Sequence, residues 1–403
     1  MLPVRQIYGV ICEYNPFHNG HHHLLRQIRT AGGCIVAVMS GAFVQRGEPA
    51  VVDKRTRTRC ALMGGADLVL ELPAVWACSG AESFAAAGIA MLNALGCVEQ
   101  LAYGSEHPDA ALQRQVAQTL DSPAFSAQLP ALLADGRSFA SAREAAVRLL
   151  CGDRAADLLR CPNDTLGIEY QKALLRSGAS IRPHPFPRLA VAHDSTAPSG
   201  AFASASLLRT QLQAGAVDPA LLPDGQWPVL QQALETQGGC PDIERLARAA
   251  LARLRLLSPA ETARLPDLSE GLEHRLLNAA GAAESLADLY RRCKTKRYSH
   301  ARIRRIVLAA LMGCTASDRA LPVPYIRVLG LNDRGRTILR TAHNTASLPV
   351  VTRPAEIARL DACARRIFAL ECAASDLWGL CTPVVLPAGA DFTGEVIYIS
   401  SPS

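Results

Sequence analysis

Aromatic residues are scarce in this chain: they make up 5% of its 403 residues, against 49% hydrophobic residues in all. That imbalance predicts a core of alanine and leucine packed largely from helices. No apolar run is long enough to span a bilayer, so no membrane partner is expected. The stretch Met1 to Gln6 lacks the basic-then-apolar layout of a secretory signal, which predicts a cytoplasmic protein. The thirteen cysteines include no Cys-x-x-Cys pair. Scattered over so long a chain, they suit neither a disulfide framework nor a zinc site and read as small core residues. Internal repeats and long low-complexity segments are also missing, and the length predicts two or three domains.

Acidic residues are short in one region. From Arg291 to Arg340 thirteen Lys/Arg face only Asp318 and Asp333, a local +11 that leaves −5 for the rest of a chain whose formal net charge is +6. The densest part holds Arg291, Lys294, Lys296, Arg297, Arg302, Arg304 and Arg305, with Tyr298 among them. These cations could neutralise several phosphates of a polyanion while Tyr298 stacks on a base. A solvated helix face with an arginine excess is the other reading. No zinc-finger or RNP-type motif accompanies the segment, and no DNA partner is expected.

What the chain does have is a dense motif near its start. Glu13-Tyr14-Asn15-Pro16-Phe17-His18-Asn19-Gly20-His21 lies between an apolar run, Ile7 to Cys12, and an amphipathic run, His22 to Ile28. A strand, a turn and a helix start are predicted. Gly20 permits close backbone approach to a ligand, and a helix opening near it aims free N–H groups and a positive dipole end at an anion. His18 in the turn and His21 in the first helical turn can then face one phosphate as donors. A histidine-rich solvated loop, or a chance metal-binding tract, would carry the same residues.

The surroundings narrow this choice. Strands are predicted at Cys34 to Met39, Asp67 to Leu72 and Val98 to Tyr103, alternating with helices at Asp53 to Met63 and Glu82 to Leu95. Such alternation predicts βαβ units, a parallel sheet covered on both faces, and ligands at the carboxyl ends of the strands. The histidine turn, Ser40-Gly41 and Gly104-Ser105-Glu106 all fall at such ends. Farther on, Pro162-Asn163 opens a helix ending near Ser177-Gly178, with Asn163 either capping it or reaching a ligand. A short extended segment with three prolines, Ser180 to Arg188, precedes Ser204-Ala205-Ser206-Leu207-Leu208-Arg209, a serine-rich helix start with an arginine one turn later and a second anion cradle. From Val217 on the pattern is mainly helical, with a possible last strand in Phe392 to Ser400. The predicted division is an α/β, Rossmann-like parallel-sheet domain over 1–215 and a mainly helical domain over 216–403.

His18-Asn19-Gly20-His21 and Ser204 to Arg209 together resemble the His-x-Gly-His motif and late serine-rich helix start of the nucleotidylyltransferase superfamily. More closely, the chain resembles the bacterial tRNA(Met) cytidine acetate ligase family. That resemblance covers nearly its whole length, through Gln45 to Ala50 with Asp53-Lys54, Gly65 to Pro73, Tyr103 to Glu106, Pro162-Asn163 with Leu166 to Tyr170, Thr295 to Tyr298, and Tyr325 to Gly330. It implies that acetate and ATP give acetyl-adenylate, whose acetyl group passes to the wobble cytidine of elongator tRNA(Met). It also implies ATP contacts at Ile11, Tyr14, Asn15, Pro16, Phe17, His18, Asn19, Gly20, His21, Leu24, Gly104, Asn163 and Arg188. His18 and His21 would be the phosphate donors, Ser204, Ser206 and Arg209 the partners of the leaving pyrophosphate, and Mg2+ would share its charge. The tRNA would lie on Lys294, Lys296, Arg297, Tyr298, Arg302, Arg304 and Arg305.

Two stretches depart from the family pattern. Leu189 to Ala192 lacks the expected glycine-rich opening, although His193-Asp194 is kept. The run Arg55 to Arg59 is more basic than expected and offers either an extra RNA contact or a solvated helix face, the second being favoured. A small-molecule adenylyltransferase, or a tRNA-binding protein with a remnant nucleotide site, are the alternative functions; the basic helical half argues against the first and the intact histidine turn against the second.

Overall fold

The computed structural model describes residues 6–188, 198–269, 271–295 and 298–400. Lys296, Arg297 and the loop from Leu189 to Asp194, all with expected roles, lie outside the described residues.

Among the described residues, eight strands form one sheet. They are β1 (Gln6–Cys12), β2 (Gly33–Ser40), β3 (Leu68–Leu72), β4 (Gln100–Ser105), β5 (Arg182–Pro187), β6 (Ile326–Leu331), β7 (Val350–Val351) and β8 (Ile397–Tyr398). Their spatial order is β5-β4-β1-β2-β3-β6-β7, with β8 beside β6. All pairs within β1 to β5 are parallel, with Val10 opposite Ala37, Val38 opposite Leu70, Gly9 opposite Leu101 and Gly104 opposite Phe186. The chain steps from β1 to β3 in one direction and returns to place β4 on the other side of β1, which makes the β1/β4 crevice the topological switch point.

The helices covering this sheet include α1 (Asn19–Thr30), α2 (Lys54–Met63), α3 (Ala81–Leu95), α4 (Pro162–Ser177), α5 (Ala205–Gln213), α6 (Gln226–Gln237), α7 (His300–Met312), α8 (Ala362–Cys381) and the single turn α9 (Ala390–Thr393). Because both faces are covered, β2 and β3 are buried at every position. Cys34, Val36 and Val38 join one core; Ile35, Ala37 and Met39 join the other. The prolines of β5 fit an edge strand. Arg182 N and Arg188 N donate to carbonyls on the β4 side, so Pro183, Pro185 and Pro187, at the alternate positions, withhold no ladder donor.

The second half was expected to be mainly helical. It does build a helical cluster around Leu254, Leu276, Leu289 and Ile306, yet it also returns β6, β7 and β8 to the same sheet. β6 runs antiparallel to β3 and is buried throughout, a short apolar run whose periodicity does not separate strand from helix. α8 starts at Ala362, where Asp361 caps it by accepting from Ala364 N at 2.7 Å. Among the described residues no helix is long and apolar enough to cross a membrane. All thirteen cysteines are free and none is exposed.

Candidate active site

The turn after β1 is held in an unusual backbone shape. Tyr14 has φ +48°, in the left-handed region that costs a residue with a side chain about 1 kcal/mol or more. Its ring packs edge-on against Phe17 and His21, with centroids 4.8 and 5.0 Å away. His18 then caps α1. Its Nδ1 accepts from Gly20 N at 3.0 Å, while His21 Nδ1 accepts from His18 N at 3.3 Å, a reciprocal capping box built from two imidazoles.

This capping sets the tautomers. With each Nδ1 accepting, each Nε2 carries the proton and remains a donor. The two rings lie 3.8 Å apart at 30°. Burial lowers the His18 pKa to about 3, helped by Arg188 and Arg209; burial, then His18 and Arg188, hold His21 well below the usual value. The pair is therefore neutral at pH 7. A Cβ on Gly20 would come 2.9 Å from His18 Cε1, so glycine is needed here for the cap's own imidazole as well as for approach to a ligand.

A cavity of about 370 Å³ opens at the ends of β1 and β4, in the size range of small-ligand sites. Of the residues singled out in the sequence, Ile11, Tyr14, Asn15, His18, Gly20, His21, Leu24, Gly104, Asn163, Arg188, Ser204, Ser206 and Arg209 line it. Pro16, Phe17 and Asn19 are not among the lining residues. Phe17 is fully buried beside Gly64, where a Cβ would meet its ring at 2.3 Å. Asn19 Nδ2 donates instead to Ala201 O at 2.7 Å and Ala220 O at 2.9 Å. These two shape and anchor the turn, and Pro16 follows a cis peptide bond within it.

The distant parts of the chain meet on this cavity. Arg209 Nη1 donates to Asn15 O at 3.1 Å, and Ser204 caps α5 by accepting from Leu207 N at 3.1 Å. Arg188 lies over Gly104, where a Cβ would stand 3.1 Å from Arg188 Cγ, and its Nη1 donates to Asn163 Oδ1 at 3.1 Å. The cap of α4 is Cys161, so Asn163 is left to bridge Arg188 and Glu106. Asn15 is 3% exposed; its Oδ1 accepts from Val51 N at 2.8 Å, while its Nδ2 has no hydrogen-bond partner among the described residues.

Sequence reasoning gave no site role to the segment after β2, although Gln45 to Ala50 carried part of the resemblance. Gln45, Arg46 and Glu48 line the cavity, around a turn at Gly47 with φ +71°. The signal was Ser40-Gly41 at a strand end. It also misplaced Arg57. Arg55 and Arg59 are exposed, but the Arg57 side chain is fully buried, donating to Glu13 O at 2.8 Å, Ser40 O at 2.9 Å, Val52 O at 3.3 Å and Gly41 O. A charge run on a helix need not share one face: Lys54, Arg57, Thr58 and Ala61 point inward from α2.

The basic segment is partly committed to the protein itself. Arg304 pairs with Glu48 at the cavity, Arg305 Nε lies 3.1 Å from Asp267 Oδ2, and Arg302 Nε donates to Asp267 O at 2.7 Å while stacking 5.4 Å from the Tyr298 ring centroid. Lys294 is exposed. Mg2+ finds no dedicated cage here. The carboxylates among the described lining residues are Glu13, which accepts from Gln45 N at 2.7 Å, and Glu48, held by Arg304. Burial raises the Glu13 pKa, which further disfavours a charged ligand role. An ion arriving with a nucleotide would be held by its phosphates, and no step below is routed through it.

Comparison with known proteins agrees with this geometry. A model of the HIGH nucleotidyl transferase family matches residues 5–389. The tRNA(Met) cytidine acetate ligase of Acetivibrio thermocellus is 34% identical over 97% of this chain and 99% of its own length. That of Caldanaerobacter subterraneus subsp. tengcongensis is 37% identical over 86% of this chain and 88% of its own. Crystal structures of Thermotoga maritima TmcAL, 30% identical, superpose with TM-scores of 0.92 for the apo form and 0.90 for the form bound with alpha-thio ATP, each covering 98% of this chain and 100% of the other. With the histidine turn, the switch-point cavity and the late helix start on one sheet, the chain belongs to the tRNA(Met) cytidine acetate ligase family of HIGH nucleotidyl transferases.

Proposed function

We propose that the protein joins acetate to the wobble cytidine of elongator tRNA(Met) at the expense of ATP, giving N4-acetylcytidine, AMP and pyrophosphate. The observation that carries this reading is the convergence of two neutral imidazole donors with Arg188 and Arg209 on one cavity at a sheet switch point. The alpha-thio ATP held by Thermotoga maritima TmcAL supports ATP as its occupant.

In the first step an acetate oxygen attacks the α-phosphorus and pyrophosphate leaves. Acetate is ionised near pH 7 and needs no general base. Catalysis then rests on position and charge: His18 and His21 Nε2–H donate to phosphate oxygens, and Arg188, Arg209 and the amides at the α5 start face the departing pyrophosphate. Neutral donors suit this task because they bind the growing charge without holding the product as tightly as two imidazolium ions would. In the second step the cytidine N4 attacks the acetyl carbonyl, AMP leaves, and N4 loses a proton.

The second step requires an unstacked base beside the adenylate. The Arg304–Glu48 pair puts α7 against the cavity wall, so an anticodon stem along Lys294, Tyr298 and the outer face of Arg302 and Arg304 brings its loop to the cavity. A tRNA substrate places the reaction in the cytoplasm.

Labelled acetate, ATP and transcribed elongator tRNA(Met) test the proposal. ATP-dependent label on the RNA is expected; adenylate formed without transfer to any tRNA would favour a small-molecule adenylyltransferase, and tRNA binding without adenylate a remnant site.

A further inference from the structure

In the transfer step cytidine N4 becomes cationic as it attacks the acetyl carbonyl, so one of its protons must go to a base within reach. Few groups of the cavity can accept it. His18 Nδ1 and His21 Nδ1 are occupied by backbone N–H groups, and their Nε2 atoms carry protons. Glu48 is paired with Arg304, and His23 Nε2 lies 2.7 Å from Gln27 Nε2. Burial raises the pKa of the Cys12 thiol and of the Tyr14, Tyr103 and Tyr170 phenols, which keeps all four protonated. Among the described lining residues this leaves Glu13.

Its position suits the task. Glu13 follows the last residue of β1 and is half-buried in the cavity wall, between the histidine turn and the 41–52 segment after β2. Its Oε1 accepts from Gln45 N at 2.7 Å and its carbonyl oxygen from the buried Arg57 at 2.8 Å, so the residue is anchored at one carboxyl oxygen and at its backbone. Its Oε2 takes no hydrogen bond among the described residues, and the side chain stays partly open to the cavity. Arg209 acts on Glu13 and on His18 alike, so carboxylate and imidazole donors are grouped around one guanidinium. Burial raises the Glu13 pKa, while Gln45 N–H and the guanidiniums of Arg209, Arg57 and Arg46 restrain the rise. A carboxylate so placed is a stronger proton acceptor than an exposed one. The Arg304–Glu48 pair brings α7 to the same wall, on the side of the proposed tRNA approach.

We propose that Glu13 is the general base of acetyl transfer, its Oε2 taking the proton from cytidine N4 as N4 bonds to the acetyl carbon. The bond from that carbon to the AMP phosphate oxygen breaks, its electron pair leaves with AMP, and Glu13 returns the proton to solvent. The assignment rests on the acetyl-transfer function proposed above. Adenylate formation needs no base, so the two half-reactions separate this role from the integrity of the site.

The chain is loaded with ATP and labelled acetate, then mixed with transcribed elongator tRNA(Met), and the rate at which label reaches the RNA is read; acetate-dependent exchange of labelled pyrophosphate into ATP is measured on the same preparations. Glu13→Gln keeps an oxygen for Gln45 N but loses the basic one, and transfer should fall about a hundredfold more than exchange. Glu13→Asp, which keeps a carboxylate drawn back by one methylene, should transfer faster than Glu13→Gln. Retained exchange shows that each variant keeps a folded ATP cavity. When the unsubstituted chain labels tRNA, undiminished transfer by Glu13→Gln, or equal losses of transfer and exchange in both variants, overturns the assignment alone. An unsubstituted chain that exchanges pyrophosphate but labels no tRNA overturns the function and the assignment with it.

Discussion

His18 and His21 owe their state to burial and to each other. Each Nδ1 is spent on a backbone N–H, so the proton sits on Nε2 and the rings serve as neutral donors. Replacing His21 by Ala should lower acetyl-adenylate formation about a hundredfold, the usual worth of one preorganised oxyanion donor. Acetate-dependent exchange of labelled pyrophosphate into ATP measures it, and an unchanged rate would remove the residue from the chemistry. His18 also carries a pH signature. Its folded pKa, about 3, lies below the ordinary 6.5, so the unfolded chain takes up the proton first as pH falls. Its contribution is fully present above about pH 6.5 and is lost progressively toward pH 3. His18→Gln should flatten the fall in melting temperature across that window. The motif's residue types and spacing were legible in the sequence; the ring-on-ring packing and the tautomers were not, because they depend on Tyr14, Phe17, Arg188 and Arg209 closing around the turn.

At the scale of elements, α2 is the part least like its sequence. Its arginine run reads as a solvated face, yet Arg57 points inward and ties the β1 turn to the segment after β2 through four carbonyls. Arg57→Met should destabilise the protein by about 3 kcal/mol, because those buried acceptors lose a charged donor and gain none. Urea denaturation checks the loss, and hydrogen exchange should show the 41–52 segment opening most. Helix and strand positions up to β5 were readable because each carries its own signal: the Asp53 cap of α2, and the left-handed glycines Gly96 and Gly178 that end α3 and α4. β8 falls within the last strand expected in Phe392 to Ser400, but β6 and β7 were obscure for the opposite reason. They are two to six residues long and are strands only because β3 offers an edge for β6 to pair with.

Across the whole molecule, the two halves are joined by a buried ionic cluster. Lys54 of α2 meets Glu71 of β3, Glu371 of α8 at 2.9 Å and Asp391 of α9, and Arg327 of β6 meets Glu71 at 2.8 Å. Burial, then the neighbouring Glu71, push the Glu371 pKa up to about 8, against the pull of Lys54. Lys54→Met would leave three acids facing one arginine and should cost about 3 to 5 kcal/mol, read as a lower urea midpoint. The proposed tRNA track belongs to this scale as well. Lys294→Ala, at an exposed side chain that joins no ion pair among the described residues, should weaken tRNA binding and reduce its salt slope by about 1 while leaving acetyl-adenylate formation intact. If adenylate formation falls instead, the track lies elsewhere.

The sequence alone determined the parallel βα core, the histidine turn at the end of its first strand, the helix start at Ser204 and the location of the basic segment. Those properties are local: a period, a cap, a glycine or a charge count records each within a few residues. Tertiary structure alone decided that the Asn15 amide is buried with no partner for its Nδ2 among the described residues, that Arg57 is internal while Arg55 and Arg59 are not, and that Arg304 reaches Glu48 across 256 residues of chain. Each of those outcomes depends on which distant groups share a buried space, and burial and charge pairing are set by that neighbourhood, which no local pattern records.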